Sequence, residues 1–123
     1  MKIVRCSKCG NIAFLLKESG VPMMCCGERM KELDPLTRDG AVEKHVPVYE
    51  VNGNVVDVVV GSVVHPMEEN HYIEWIIVET NLNTHIRKLT PGVEPKASFA
   101  LTNGESVVSV YEYCNLHGFW KSE

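Results

Sequence analysis

The sequence predicts an all-β protein: a small metal-stapled unit followed by an antiparallel sandwich or barrel. Three observations predict it. Four of the five cysteines fall within the first 26 of 123 residues. From about residue 45 onward, short runs rich in β-branched residues follow one another at regular spacing. Turn residues separate those runs, and no convincing helical period interrupts them.

Residues 1–34 form a cysteine-rich block with Gly10, Gly20 and Gly27 as turn signals. Its apolar stretch, Ile12–Leu16, is too short for a core. A unit of about 35 residues usually needs a metal or disulfides to fold. Asp34-Pro35 through Asp39-Gly40 reads as a linker. The expected strands are then Val46–Val51, Val55–Val60, His71–Thr80, Ile86–Leu89, Ala97–Thr102 and Ser106–Cys114. Asn52-Gly53-Asn54 is a hairpin signal, and Thr90-Pro91-Gly92 and Asn103-Gly104 mark further turns. In His71–Thr80, alternation puts Ile73, Trp75 and Ile77 on one face and Tyr72, Glu74 and Ile76 on the other. The expected domains are 1–36 and 37–123.

Composition narrows the function. The net charge is −4, which gives no support to a nucleic-acid partner or an anionic membrane. No apolar run reaches the roughly 18 residues of a membrane span. The N-terminus lacks the apolar segment of a secretory signal. A cytoplasmic location follows as the expectation. There thiols stay reduced, and grouped cysteines are metal ligands more often than disulfides.

The metal-binding residues divide into two sets. Cys6-x2-Cys9 is a knuckle that converges two thiolates from a tight turn, and Cys25-Cys26 supplies a second pair. Adjacent ligands normally diverge along the backbone, so a tetrahedron built on them should be distorted. Four thiolates suit structural zinc or a mononuclear iron redox centre, and a vicinal disulfide is the remaining alternative. The second set is His45, His65, His71, Cys114 and His117, each beside an expected strand end or turn. Cys114-x2-His117 has ligand spacing by itself. The pair would also serve as nucleophile and base, but that leaves three histidines unexplained. His85 stands outside both sets and reads as a hydrogen-bonded or surface residue.

The donor sets differ in charge. Four neutral imidazoles and one thiolate leave a ferrous ion net positive, which favours a small anion at a sixth position. Four thiolates leave it net negative, which suits holding and passing an electron. Glu43 and Lys44 precede His45 directly. They read as a solvated charge pair or, beside an open metal, as groups acting on a bound anion.

Cys6-x2-Cys9 with Cys25-Cys26, Glu43-Lys44-His45-Val46-Pro47, His65-Pro66-Met67-Glu68-Glu69-Asn70-His71 and Cys114-Asn115-Leu116-His117-Gly118 together resemble desulfoferrodoxin, the two-iron class of superoxide reductase. The resemblance covers essentially the whole chain. It implies a rubredoxin- or desulforedoxin-like FeS4 domain followed by an immunoglobulin-like antiparallel sandwich. It assigns Cys6, Cys9, Cys25 and Cys26 to the FeS4 iron. It assigns His45, His65, His71 and His117 as equatorial ligands of a second, catalytic iron, with Cys114 axial; both irons cycle between Fe2+ and Fe3+. Glu43 matches a residue that binds the oxidised iron, and Lys44 one that assists superoxide binding and peroxide release. The implied reaction is one-electron reduction of superoxide to hydrogen peroxide, with a rubredoxin-like electron donor and a homodimeric assembly. A non-catalytic iron electron carrier and a zinc-stapled binding module are the rival readings.

Overall fold

The computed structural model describes residues 1–36 and 42–122, with the side chains of residues 42 and 43 outside the description. Most of the expected linker, from residue 37 to 40, therefore lies outside the described residues, as does the side chain of Glu43. The chain divides into two compact units, Met1–Asp34 and Pro35–Glu123.

The first unit is built from five short strands: β1 (Lys2–Arg5), β2 (Ile12–Leu15), β3 (Met24–Cys25), β4 (Glu28–Arg29) and β5 (Lys31–Glu32). The sheet order is β2-β1-β5, and β3 and β4 form a separate hairpin. Its buried apolar cluster consists of Val4, Cys6 and Met30, with Ala13, Leu15 and Cys25 packed on it. A core this small cannot offset the entropy of ordering the segment, so cross-linking at the cysteines has to contribute.

In the second unit a single helical turn, α1 (Val42–His45), precedes β6 (Pro47–Asn52), β7 (Val55–Val60), β8 (Ile73–Thr80), β9 (Thr84–Lys88), β10 (Lys96–Ala100), β11 (Val107–Cys114) and β12 (Gly118–Lys121). One sheet runs β10-β7-β6 and the other β12-β11-β8-β9, with antiparallel pairing throughout. The β6–β7 hairpin closes with Asn52 opposite Val55 and Gly53 at φ 62°, the left-handed conformation such a turn demands. Val56, Val58 and Val60 of β7 face Ile76 and Val78 of β8 and Val110 and Cys114 of β11, forming the core between the sheets. Each such side chain contributes about 1.5–3 kcal/mol through burial. Among the described residues, no helix is long and apolar enough to cross a membrane.

Two sequence expectations need correction. The expected strands stop at Cys114, but Gly118–Lys121 continues as β12, pairing Cys114 with Gly118 and Tyr111 with Lys121. It is short and carries a glycine at its start, so pattern alone did not mark it. The alternation expected through His71–Thr80 also breaks. The register against β11 shifts between Tyr113–Trp75 and Cys114–Ile73. This bulge sends Ile73 into the core with Ile76, while Trp75 stays outside against Tyr113.

Candidate metal centres

The knuckle of the first unit is closed by backbone bonds. Gly10 N–H donates to Cys6 O at 3.0 Å and Cys6 N–H to Asn11 O at 2.9 Å, with Gly10 at φ 82°. The second pair of thiols rides on the β3–β4 hairpin. Its two turn residues are Cys26 at φ 51° and Gly27 at φ 77°, so both central positions are left-handed, as in a type I′ turn. That conformation answers the expected divergence of adjacent ligands: the backbone reverses between Cys25 and Cys26, and both sulfurs reach one place. The four sulfurs lie within 4.8 Å of one another, and Cys9 Sγ and Cys25 Sγ are 3.6 Å apart. Sulfurs on one tetrahedral ion, at about 2.3 Å each, are separated by about 3.8 Å. Backbone N–H groups of Cys9 and Asn11 point at Cys6 Sγ and Cys9 Sγ, both at 3.5 Å. The Cys9 N–H is the main reason the Cys6 thiol is pulled down to about 6. Hydrogen bonding to Cys9 and then Cys6 pushes Cys26 up to about 12. Without a cation, the first thiolate formed opposes the next, which is the electrostatic signature of a metal site.

The second group gathers at one end of the sandwich. His45 closes α1 just before β6, and His65 follows the end of β7. His71 precedes β8, Cys114 ends β11, and His117 sits in the turn before β12. Their ligand atoms also lie within 4.8 Å of one another. The four imidazoles form a closed ring, each edge-on to the next. Centroid distances are 4.8 Å (His45–His65), 4.7 Å (His65–His71), 5.0 Å (His71–His117) and 4.7 Å (His117–His45). His45 Nε2 and His117 Nδ1 are 3.0 Å apart. Two nitrogens at right angles on one ion, at about 2.1 Å each, are about 3 Å apart.

Cys114 has no exposed surface, and its sulfur lies 3.8 Å from His117 Nδ1. His65 Nδ1–H donates to Pro66 O at 2.7 Å, which fixes the tautomer and leaves the Nε2 lone pair to the site. That Nε2, and the Nε2 of His71, are buried with no hydrogen-bond partner. Two buried ring nitrogens left this way are costly unless an ion takes them. Burial holds His65 down to about 4, and burial followed by the charge of His117 lowers His71, so both imidazoles are neutral donors at pH 7. Burial raises the Cys114 thiol, opposed by the backbone N–H groups of His117 and Leu116. An ion must displace that proton. The donor chemistry fits iron at both sites: borderline nitrogen with sulfur in one, sulfur alone in the other.

The structure therefore brings together all nine metal-binding candidates, in two groups. Lys44 is exposed, and its charge contributes to lowering His71. His85 lies apart, with Nε2 2.6 Å from Glu105 Oε2, as expected of a hydrogen-bonded residue. Sequence reasoning missed two supporting residues. Asn115 joins the two ligand loops: Tyr72 N–H donates to its Oδ1 at 2.9 Å, and its Nδ2 donates to Asn70 O at 3.0 Å. Trp120 stacks on His45 at 4.8 Å and donates from Nε1 to His117 O at 3.0 Å. Their places beside Cys114 and His117 were the available signal. Glu112, with no exposed surface and no partner for either oxygen, is raised well above the ordinary carboxyl value by burial.

A β frame with one closed thiolate site and one imidazole–thiolate site defines a class of non-haem metalloprotein. The family model described as Desulfoferrodoxin matches residues 37–123. A desulfoferrodoxin homologue of Archaeoglobus fulgidus is 48% identical over 122 residues, spanning 99% of this chain and 96% of the relative. Among solved structures, the superoxide reductase from Treponema pallidum superposes with a TM-score of 0.83 at 34% identity, over 99% of this chain and 96% of that one. A superoxide reductase of the 1Fe type from Giardia intestinalis covers 65% of this chain and 95% of its own length, with a TM-score of 0.56 at 38% identity. The chain belongs to the desulfoferrodoxin family, and its two donor groups fit that family's two iron centres.

Proposed function

We propose that this chain is a superoxide reductase, converting superoxide, one electron and two protons into hydrogen peroxide. The observation that carries this reading is the closed ring of four imidazoles over a buried thiol. His45, His65, His71, His117 and Cys114 would hold the catalytic iron, and Cys6, Cys9, Cys25 and Cys26 the FeS4 iron. Bound to the five-donor set, iron supplies the reducing electron and one coordination position beyond those five donors. The domains are then residues 1–36, for the FeS4 centre, and 37–123, for catalysis.

The chain's own residues set the conditions. Cys114 brings negative charge from the buried side, tempered by the N–H groups of Leu116 and His117. The neutral imidazoles leave the site net positive, which selects an anion. Exposed Lys44 adds to that field. A unit charge pair at 4 Å is worth about 1 kcal/mol in water and about 4 kcal/mol at an effective dielectric of 20. Lys44 also orients a water that delivers the protons the product needs. Glu43 would be a further ligand to the iron in its oxidised form. A rubredoxin-like protein in the cytoplasm returns the electron, and the working assembly is a homodimer.

The test is stopped-flow mixing of reduced, iron-loaded protein with superoxide, compared with Cys114→Ser. A fast phase lost in the variant supports the reading, and equal rates end it. Azide added to the oxidised protein separates a reductase from an electron carrier. A shifted visible spectrum requires an accessible position, and an unchanged one indicates a saturated carrier.

A further inference from the structure

We propose that the outer face of the four-stranded sheet carries a radical relay, Tyr113–Trp75–Phe119–Tyr111, that draws oxidising equivalents away from the imidazole–thiolate site. The proposal rests on the reading above, in which that site makes hydrogen peroxide and its iron is then reduced again by the electron donor with peroxide still at hand.

The rings are contiguous. Tyr113 precedes Cys114 and stacks on Trp75 at 5.3 Å with 12° between planes. Trp75 meets Phe119 at 5.6 Å, and Phe119 stacks on Tyr111 at 5.3 Å and 9°. Stacked pairs of this kind are ordinary packing when isolated. Here three of the four rings are the side chains most readily oxidised by one electron, Tyr and Trp, and Phe119 bridges the gap between them. The ladder begins beside a metal-binding cysteine and ends on a phenol with a proton acceptor: Tyr111 Oη–H donates to Glu79 Oε1 at 3.2 Å.

That end point distinguishes Tyr111 from Trp120, the indole nearest the histidines. Trp120 Nε1–H donates to a backbone carbonyl, which cannot keep a proton. An oxidised Trp120 would stay positively charged beside a cationic site. Tyr111 loses its proton to a carboxylate and becomes a neutral phenoxyl. Lys121 Nζ, 5.9 Å from the Tyr111 ring, opposes a positive ring but not a neutral one.

The step balances. Hydrogen peroxide takes two electrons and two protons to give two waters. Reduced iron supplies one electron. Tyr111 supplies the other through the ladder while its proton passes to Glu79, and water supplies the protons at the site. A small thiol then gives a hydrogen atom to the phenoxyl and becomes a thiyl, and Glu79 releases its proton to solvent, replacing one that water gave up at the site. Without the relay the second electron would come from the nearest sulfur, Cys114, which starts it along the sulfenic–sulfinic series.

The experiment uses the full, iron-loaded chain. Reduced protein is mixed with hydrogen peroxide and freeze-quenched for electron paramagnetic resonance, and parallel samples are digested for mass spectrometry. The wild type is expected to show a tyrosyl radical. Tyr111→Phe is expected to lose it and to accumulate several-fold more oxidised Cys114, while superoxide reduction is unchanged. Trp75→Phe keeps the packing and lowers the radical yield. Absence of a protein radical in the wild type, or an identical radical and equal Cys114 oxidation in Tyr111→Phe, overturns the relay. Superoxide reduction is measured on the same samples. Full activity without the radical removes the relay alone, and a radical without superoxide reduction removes the activity alone.

Discussion

Asn115→Ala tests how the two ligand loops are held in register. Asn115 follows Cys114 in sequence, and its side chain bonds to both Tyr72 N–H and Asn70 O, on either side of His71. Its backbone N–H also donates to Tyr72 O at 3.2 Å, and that bond survives the substitution. Two side-chain hydrogen bonds are lost, each worth about 0.5–1.5 kcal/mol. The sum, about 1–3 kcal/mol, is a factor of about 5–150 in the equilibrium that keeps both loops closed on one ion. Comparable outer partners of metal ligands change affinity by about 10–100-fold. The assay is iron release to an excess of ferrous chelator in a Cys9→Ser background, so that only the imidazole–thiolate site reports. The expected result is release faster by one to two orders of magnitude. Release at the wild-type rate would refute the argument that Asn115 positions the site.

Glu105 accepts hydrogen bonds from Thr80, Thr102 and His85, and the Thr80 hydroxyl is the first cause holding its carboxyl well below the usual range. A depressed carboxyl contributes stability that is present above the unfolded value of about 4.3 and lost as pH falls toward the folded value. Urea titrations of Glu105→Gln should therefore show lower stability at pH 7 and a smaller loss below pH 4 than the wild type. Lys44→Ala should slow superoxide capture by about fivefold or more and flatten its dependence on salt, as measured by stopped flow across ionic strengths. Ile76, with no exposed surface in the sandwich core, should cost about 2–5 kcal/mol as Ile76→Ala, lowering the midpoint of the second unit by about 8 °C or more in a calorimetric scan.

Much of this was legible in the sequence because metal ligands are sparse, chemically distinct and tied to turns. The two donor sets could be separated by type, sulfur against imidazole, before any geometry was known. Strands β6 and β7 were readable from Val-rich runs around Asn52-Gly53-Asn54. What stayed hidden depended on register and on backbone sign. The bulge that turns Ile73 inward arises from the pairing of β8 with β11, a long-range property. The left-handed conformation of Cys26 lets adjacent cysteines share a site, and a Cys-Cys-Gly string does not announce it. The stack of Trp120 on His45 joins residues far apart in the chain, and the aromatic ladder requires three strands to be placed before it exists.

The most direct measurement is the product balance of superoxide consumed by the reduced, iron-loaded protein. The expected result is one hydrogen peroxide for each superoxide and no dioxygen, with loss of the fast phase in Cys114→Ser. Dioxygen released alongside half that peroxide would make the site a dismutase, and superoxide left unconsumed would make it an electron carrier. Either outcome would contradict the central claim.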